Sequence, residues 1–292
     1  MFKGCFVALV TPFRDGRLDT AALERLVDRM LAAGVDGLVP CGTTGESPTL
    51  SDDEFAQVVA VVAGRAKGRT AVIAGAGANS TARTLDLAHA ALRAGADGLM
   101  LVSPYYNKPT QEGLRLHFGA IAAATQAPIM LYNIPGRTGV AIAPETVARL
   151  CAEHRNIAAV KHATGEVDGV TQLGLLCDVA VMSGDDPLTL PMMSVGARGV
   201  VSVLANLIPE DVKALTDAAT RGDWNEARRL HRRIYPLARA MLCLATNPIP
   251  IKTALAARGA LAEEFRLPMC PMATEARRHL TDAVASYERC CA

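Results

Sequence analysis

Almost no net charge is present to recruit a polyanion: Lys and Arg total 30 against 29 Asp and Glu, a formal balance of +1. That leaves no electrostatic footprint for nucleic acid or an anionic membrane, and makes small molecules the expected partners. Also missing is any run approaching the roughly 20 apolar residues needed to cross a bilayer. The apolar stretch 5–10 is broken by Thr11-Pro12 and Arg14-Asp15, too short for a secretory signal core with its cleavage site. The expected location is therefore the cytoplasm. The eight cysteines, at 5, 41, 151, 177, 243, 270, 290 and 291, form no C-x-x-C pair, and most lie in apolar contexts where reduced cysteine behaves as a small hydrophobe. The six histidines (89, 117, 154, 162, 231 and 279) show no H-E-x-x-H spacing, no P-loop occurs, and Gly75-Ala76-Gly77-Ala78-Asn79-Ser80 lacks the third glycine of a dinucleotide fingerprint. No metal and no cofactor are expected.

What the chain does have is repetition. Short apolar runs recur at 6–10, 37–40, 71–74, 98–102, 128–132, 157–161, 179–183 and 199–203, with helical patterns between them. Runs apolar throughout suit strands covered on both faces. Helix starts are marked by Asp19 ahead of an apolar-periodic segment and by Ser51-Asp52-Asp53-Glu54, a capping box. The segment Ala33-Gly34-Val35-Asp36-Gly37-Leu38 returns as Ala94-Gly95-Ala96-Asp97-Gly98-Leu99, and more faintly near Gly196-Ala197-Arg198-Gly199-Val200. Eight βα units in about 220 residues predict a (β/α)8 TIM barrel, with a doubly wound sheet as the competitor. Beyond Trp224 the strand pattern gives way to helices over 226–244, 249–258 and 274–287. The expected organisation is a catalytic barrel over 1–223 and a helical appendage over 224–292 that covers the barrel or meets another subunit.

Catalytic groups of such barrels gather at the C-terminal strand ends. Lys161 ends the apolar run 157–160 and is followed at once by Ala163-Thr164-Gly165. Lysine is seldom buried unless paired or chemically employed, and its amine can attack a carbonyl to give a Schiff base; a lysine reaching solvent at the sheet edge is the plain alternative. Cys41-Gly42-Thr43-Thr44-Gly45-Glu46-Ser47 sets two hydroxyls among glycines that let main-chain N–H groups approach a carboxylate, or is simply a tight turn and cap. Tyrosines cluster at two adjacent strand ends, in Ser103-Pro104-Tyr105-Tyr106-Asn107 and at Tyr132, where phenols can relay protons or merely pack. Arg137, in a Pro-Gly turn, offers a fork for a substrate carboxylate or an exposed cation. In Ser183-Gly184-Asp185-Asp186, the adjacent carboxylates read as a cation site or as helix caps.

Together with Tyr132-Asn133-Ile134-Pro135-Gly136-Arg137-Thr138-Gly139 and Asn247-Pro248-Ile249-Pro250, these motifs resemble the dihydrodipicolinate synthase branch of the pyruvate-dependent class I aldolase superfamily, which also contains N-acetylneuraminate lyase. The resemblance runs nearly the whole length. It implies a lyase of lysine and diaminopimelate biosynthesis that condenses pyruvate with L-aspartate 4-semialdehyde through Lys161 and releases 4-hydroxy-tetrahydrodipicolinate. It further implies a proton relay of Thr43, Tyr132 and a Tyr106 reaching in from a neighbouring subunit, hence a homo-oligomer, commonly a tetramer built as a dimer of dimers. Thr44 would hold the pyruvate carboxylate and Arg137 the semialdehyde carboxylate, with Val201 through its carbonyl, and Gly184, lining the pocket.

Within the same superfamily, a sugar-acid aldolase or dehydratase would share Lys161 and Tyr132, whereas Arg137 and Tyr105-Tyr106 favour the short carboxylated aldehyde. A barrel that senses an oxoacid without turnover would not need the complete set of relay hydroxyls. Two departures stand out. His162 follows the lysine where an acid is frequent, and is expected to point away from it. At the positions of the allosteric pocket of lysine-inhibited members, Ser47, Asn79 and Tyr105 persist, but Asp52, Phe55 and Arg83 depart from the pattern. Arg83 is expected to repel the amino groups of L-lysine, so feedback is expected to be weak or absent.

Overall fold

The computed structural model describes residues 1–290. Eight parallel strands close into a barrel in chain order: β1 (Gly4–Ala8), β2 (Gly37–Val39), β3 (Ala71–Gly75), β4 (Gly98–Val102), β5 (Ile129–Asn133), β6 (Ile157–His162), β7 (Ala180–Ser183) and β8 (Gly199–Ser202). All eight expected runs are strands, with bounds displaced by one or two residues where pairing rather than hydropathy sets the limit. Closure comes from β1 against β8, with Phe6 opposite Val201.

Alternation along the strands divides the apolar residues into two cores. The barrel interior is filled by Phe6, Val39, Ile73, Met100, Met130, Ala159, Met182 and Val201, one from each strand, with Tyr132 above Met130. Side chains from every strand thus fill a packed centre rather than a pore, and the methionines suit its irregular gaps. The larger core lies between the strands and the helices outside them.

Pairing of β5 with β6 carries one irregularity. Ile129 faces Ile157, Met130 faces Ala159, and Tyr132 faces Lys161, so Ala158 is passed over. A residue inserted on one strand rotates everything after it onto the other face. Ala158 accordingly packs toward the interior as Ala159 does, and Tyr132 and Lys161 stand abreast.

The outer layer begins with α1 (Thr20–Ala32), capped by Asp19, whose carboxylate accepts from the Ala22 amide at 2.9 Å. Next comes α2 (Asp52–Ala66), where Ser51 and Glu54 form the expected capping box. It continues through α3 (Thr81–Arg93), α4 (Gln111–Ala124), α5 (Pro144–Glu153), α6 (Asp168–Leu176), α7 (Thr189–Ser194) and α8 (Pro209–Thr220). Three further helices, α9 (Trp224–Cys243), α10 (Ile249–Ala257) and α11 (Thr274–Arg289), follow. Among the described residues, no helix is long and apolar enough to cross a membrane.

A small hairpin, Phe13–Arg14 with Arg17–Leu18, was not anticipated among the strands. Its turn, Asp15-Gly16, has both residues at positive φ, the conformation that Asp-Gly favours in two-residue hairpins. The loop between α10 and α11 grips this turn. Glu264 accepts from the amides of Asp15 and Gly16 at 2.8 and 2.7 Å, and Arg266 donates to the Gly16 carbonyl at 3.0 Å. Arg266 also makes a two-pronged pair with Glu54 at 2.6 Å on each prong and holds that carboxyl down at about 2, against the opposing effect of burial.

A carboxylate depressed in the fold contributes stability above its unfolded value and loses it as pH falls toward the folded value. Glu54→Gln is therefore expected to melt lower than the parent at neutral pH, with the gap in melting midpoint closing as pH drops from 4.5 toward about 2. Melting curves across that range check this; a gap that does not narrow contradicts it.

Candidate active site

Lys161 is 4% exposed at the C-terminal end of β6, in the apolar surroundings the sequence suggested. Its Nζ lies 4.3 Å from the centroid of the Tyr132 ring and forms no ion pair or hydrogen bond among the described residues. Both face a cavity of about 730 Å³ that is also lined by Thr44, Arg137, Gly184, Asp185 and Asn247. A carbonyl compound entering this mouth meets an amine beside a phenol.

The loop after β2 forms the next wall. Cys41 and Glu46 both adopt positive φ, an unfavourable conformation for such residues, and enclose the tight turn Thr43–Gly45. The amides of Gly45, Glu46 and Ser47 are spent within the loop, on the carbonyls of Gly42 and Thr43. Those of Thr43 and Thr44 donate to nothing among the described residues, which leaves two adjacent N–H groups of the kind that receive carboxylates. Gly45 is closely packed, since a Cβ there would stand 3.2 Å from the Leu9 carbonyl oxygen, and Thr11 Oγ1 donates to the Gly45 carbonyl at 2.7 Å.

Thr43 is not on the lining of the large cavity; it borders a narrow gap of about 30 Å³ shared with Tyr132 and a further cavity of about 360 Å³, so Tyr132 walls both the gap and the large cavity. Arg137 is exposed, on a single helical turn (Pro135–Thr138) rather than a loop, and its Nη2 donates to the Asn247 carbonyl at 3.2 Å. Val201 lies in the barrel interior with Tyr132 and Met130, below the cavity rather than on its lining. Gly184 is on the lining, and its amide donates to the His162 carbonyl at 2.7 Å. Tyr106 is not brought to Lys161: it is 89% exposed on the loop after β4.

The expectation that His162 points away from the lysine agrees with its bonds, since its Nε2 meets Thr164 at 2.7 Å and Glu166 at 2.9 Å. It is nevertheless buried, not a surface residue. The two adjacent aspartates do not cap their own helix. Asp186 is sealed in, accepts from Ser202 Oγ and from the amides of Val203 and Leu204 at 3.0 Å, and so fixes the loop after β8; burial raises its carboxyl and these bonds oppose the shift. Asp185 faces the cavity instead.

The positions Ser47, Phe55, Asn79, Arg83 and Tyr105 converge on a separate cavity of about 360 Å³, which Arg137 also borders. Asp52 is outside its lining but shapes its charge, because Arg83 forks onto the Asp52 carboxylate. The cation expected to repel L-lysine is thus a paired one.

Sequence reasoning missed three contributors. The helical appendage does more than cover the barrel: Leu242, Cys243, Ala245, Thr246 and Asn247 line the main cavity. Asn247 Nδ2 donates to Thr44 Oγ1 at 3.0 Å while its main-chain carbonyl receives Arg137, joining the two residues across the cavity wall. Lys252 is wholly buried and pairs with the buried Glu46 at 2.5 Å, its Nζ lying 4.5 and 5.0 Å from the rings of Phe13 and Phe265. Burial pulls the Lys252 ammonium below its usual range, and Glu46 opposes that. Glu46 Oε2 also accepts the Arg266 amide at 3.1 Å. The adjacency of Asn247 to a proline and of Glu46 to the threonine loop were the available clues; the partner Lys252 lies 206 residues away.

Comparison with known proteins follows the same outline. The model of the dihydrodipicolinate synthetase family matches residues 1–287. A 4-hydroxy-tetrahydrodipicolinate synthase of Pelobacter propionicus is 52% identical over 289 residues, covering 98% of this chain and 99% of the relative. One from Geobacter sulfurreducens is 51% identical over 290 residues, covering 99% of each. The solved structure of the enzyme of that name from Methylacidiphilum fumariolicum superposes with a TM-score of 0.97 at 46% identity, covering 99% of this chain and 97% of that one.

Removing one partner of a buried pair strands the other charge, at a cost of about 3–5 kcal/mol, whereas neutralising both is far less harmful. Lys252→Met is expected to lose stability on that scale and Glu46→Gln/Lys252→Met to regain most of it, as read by urea unfolding. A double variant no more stable than the single one contradicts the pairing.

Proposed function

The chain belongs to the dihydrodipicolinate synthetase family and is an enzyme of the lyase class, and from that premise we propose that it condenses pyruvate with L-aspartate 4-semialdehyde through a Schiff base on Lys161. The observation that carries the reading is the Lys161 amine 4.3 Å from the Tyr132 ring centroid, inside a cavity walled by Thr44 and Arg137. Lys161 Nζ adds to the pyruvate carbonyl, water leaves, and the resulting iminium gives up a methyl proton to become an enamine. The enamine carbon then bonds to the aldehyde carbon. Finally the amine of the semialdehyde attacks the iminium carbon, closing the ring and releasing Lys161. An iminium is its own electron sink.

The remaining roles are proposed with it, on the family resemblance. The free amides of Thr43 and Thr44 and the Thr44 hydroxyl hold the pyruvate carboxylate, with Gly184 on the cavity lining; the Val201 carbonyl, expected on the lining, belongs to a residue buried below it. Arg137 takes the semialdehyde carboxylate. Tyr132 and Thr43 pass protons between amine, hydroxyl and water. Tyr106, exposed in one protomer, completes the relay from a neighbouring subunit, which calls for at least a dimer, with a tetramer as its doubled form.

L-Lysine feedback is weak or absent. The 360 Å³ cavity carries the apolar Phe55 and an Arg83 whose partner Asp52 stands outside the lining, so no lining carboxylate is offered to a lysine amino group. An inhibition constant near or above about 1 mM is expected; one far below that overturns this part of the reading.

Purified protein given pyruvate and the semialdehyde, coupled to the downstream reductase, is expected to turn over. Lys161→Ala should abolish the rate, and Tyr132→Phe should lower kcat by about 10²- to 10⁴-fold. Arg137→Ala should act chiefly on KM for the semialdehyde. Absence of turnover with a range of sugar acids turned over instead would replace this substrate assignment.

A further inference from the structure

Asp185 and its neighbour Asp186 are adjacent in sequence but opposite in circumstance. Every bond that a buried carboxylate requires is made by Asp186. For Asp185 only the main chain is tied down: its amide donates to Ser183 Oγ at 3.2 Å, and its carbonyl accepts from Ser183 Oγ at 2.9 Å and Thr189 Oγ1 at 3.4 Å. Its carboxylate makes no hydrogen bond or ion pair among the described residues, yet it lines the cavity that holds Lys161 and Arg137. Burial raises its carboxyl, and the charges of Lys161 and His162 oppose that shift, which places it within electrostatic reach of the reacting amine. A half-buried carboxylate that no protein group holds, open to the cavity, is free to take a ligand's donor in place of water.

Strand order gives this placement a direction. Arg137 follows β5, Lys161 ends β6 and Asp185 follows β7, and these strands are consecutive neighbours in the barrel. Across its mouth the cavity therefore presents a guanidinium, an amine and a carboxylate. The semialdehyde assigned above carries a carboxylate and an ammonium on one carbon, two carbons from the aldehyde.

We propose that Asp185 binds the α-ammonium of the aldehyde substrate, so that Arg137 and Asp185 together read its zwitterionic head. The inference rests on the substrate reading made above and sharpens it. Asp185 and Lys161 line the same cavity, so the nitrogen held at Asp185, once it has given a proton to solvent, is on the side where ring closure at the iminium carbon needs a free amine. A polyhydroxylated sugar acid offers no cation to this carboxylate.

The test uses succinate semialdehyde, which has the same aldehyde and carboxylate but lacks the amine, and so competes for the site and can join the enamine but cannot close the ring. Asp185→Asn is expected to raise KM for L-aspartate 4-semialdehyde by about 10- to 100-fold, the loss of one charged hydrogen bond. The inhibition constant of succinate semialdehyde should move by less than about threefold, so the ratio of the two constants shifts by nearly the whole effect. Arg137→Ala should weaken both ligands together. Asp185→Ser, smaller and equally uncharged, should repeat the Asn result if the asparagine variant folds poorly. Equal weakening of both aldehydes by Asp185→Asn, no change in either, or an effect confined to KM for pyruvate would overturn the proposal. Failure of the parent enzyme to turn over the semialdehyde at all would instead remove the substrate reading beneath it.

Discussion

The passing over of Ala158 in the pairing of β5 and β6 is the constraint on which the site depends. With the register begun at Ile129 and Ile157, an unbroken ladder would set Tyr132 beside Val160, and Lys161 beside Asn133. Instead both Ala158 and Ala159 turn inward, Val160 joins the outer core, and Lys161 stands over the barrel centre abreast of Tyr132. Residues paired across parallel strands face the same side, so a single local irregularity gives the amine its phenol neighbour. The interior below, packed with Met130, Met182 and Val201, leaves Lys161 no direction but the cavity.

Around that pair the mouth is held by distant parts of the chain. The threonine loop is clamped from beneath by Thr11 and by the ion pair of Glu46 with Lys252, and from above by Asn247. Residues after 243 supply both the buried lysine and the asparagine, and Arg266 and Glu264 lash the same segment to the hairpin that follows β1. The shape of the threonine loop thus depends on a segment whose sequence reads only as helices and turns. Two adjacent aspartates divide the work at the other side: Asp186 locks the loop after β8 and Asp185 is left to the cavity.

The strands were legible because parallel barrel strands are apolar on both faces, and the helices because Asp19, Ser51 and Glu54 mark their starts. Lys161, Tyr132, Thr44 and Arg137 could be picked out because polar residues at the ends of apolar runs stand out, and the cavity does collect them. Less legible was whatever depends on pairing at long range. Lys252 is one lysine among helical residues until Glu46 is seen beside it, and Arg83 reads as a free cation until Asp52 closes on it. Asp15-Gly16 is a local hairpin cue, but its strands, only two residues long, leave no periodicity to read. Tyr106 marks the limit of one chain, since nothing within it brings that exposed ring to Lys161.

The covalent role of Lys161 is the claim from which the rest follows, and borohydride reduction of the enzyme in the presence of pyruvate, followed by peptide mass mapping, addresses it most directly. The account predicts one reduced pyruvate adduct per chain, located on the peptide that carries Lys161 and absent when pyruvate is withheld. An adduct on another lysine, or an unmodified Lys161 in an enzyme that is turning over, would contradict it.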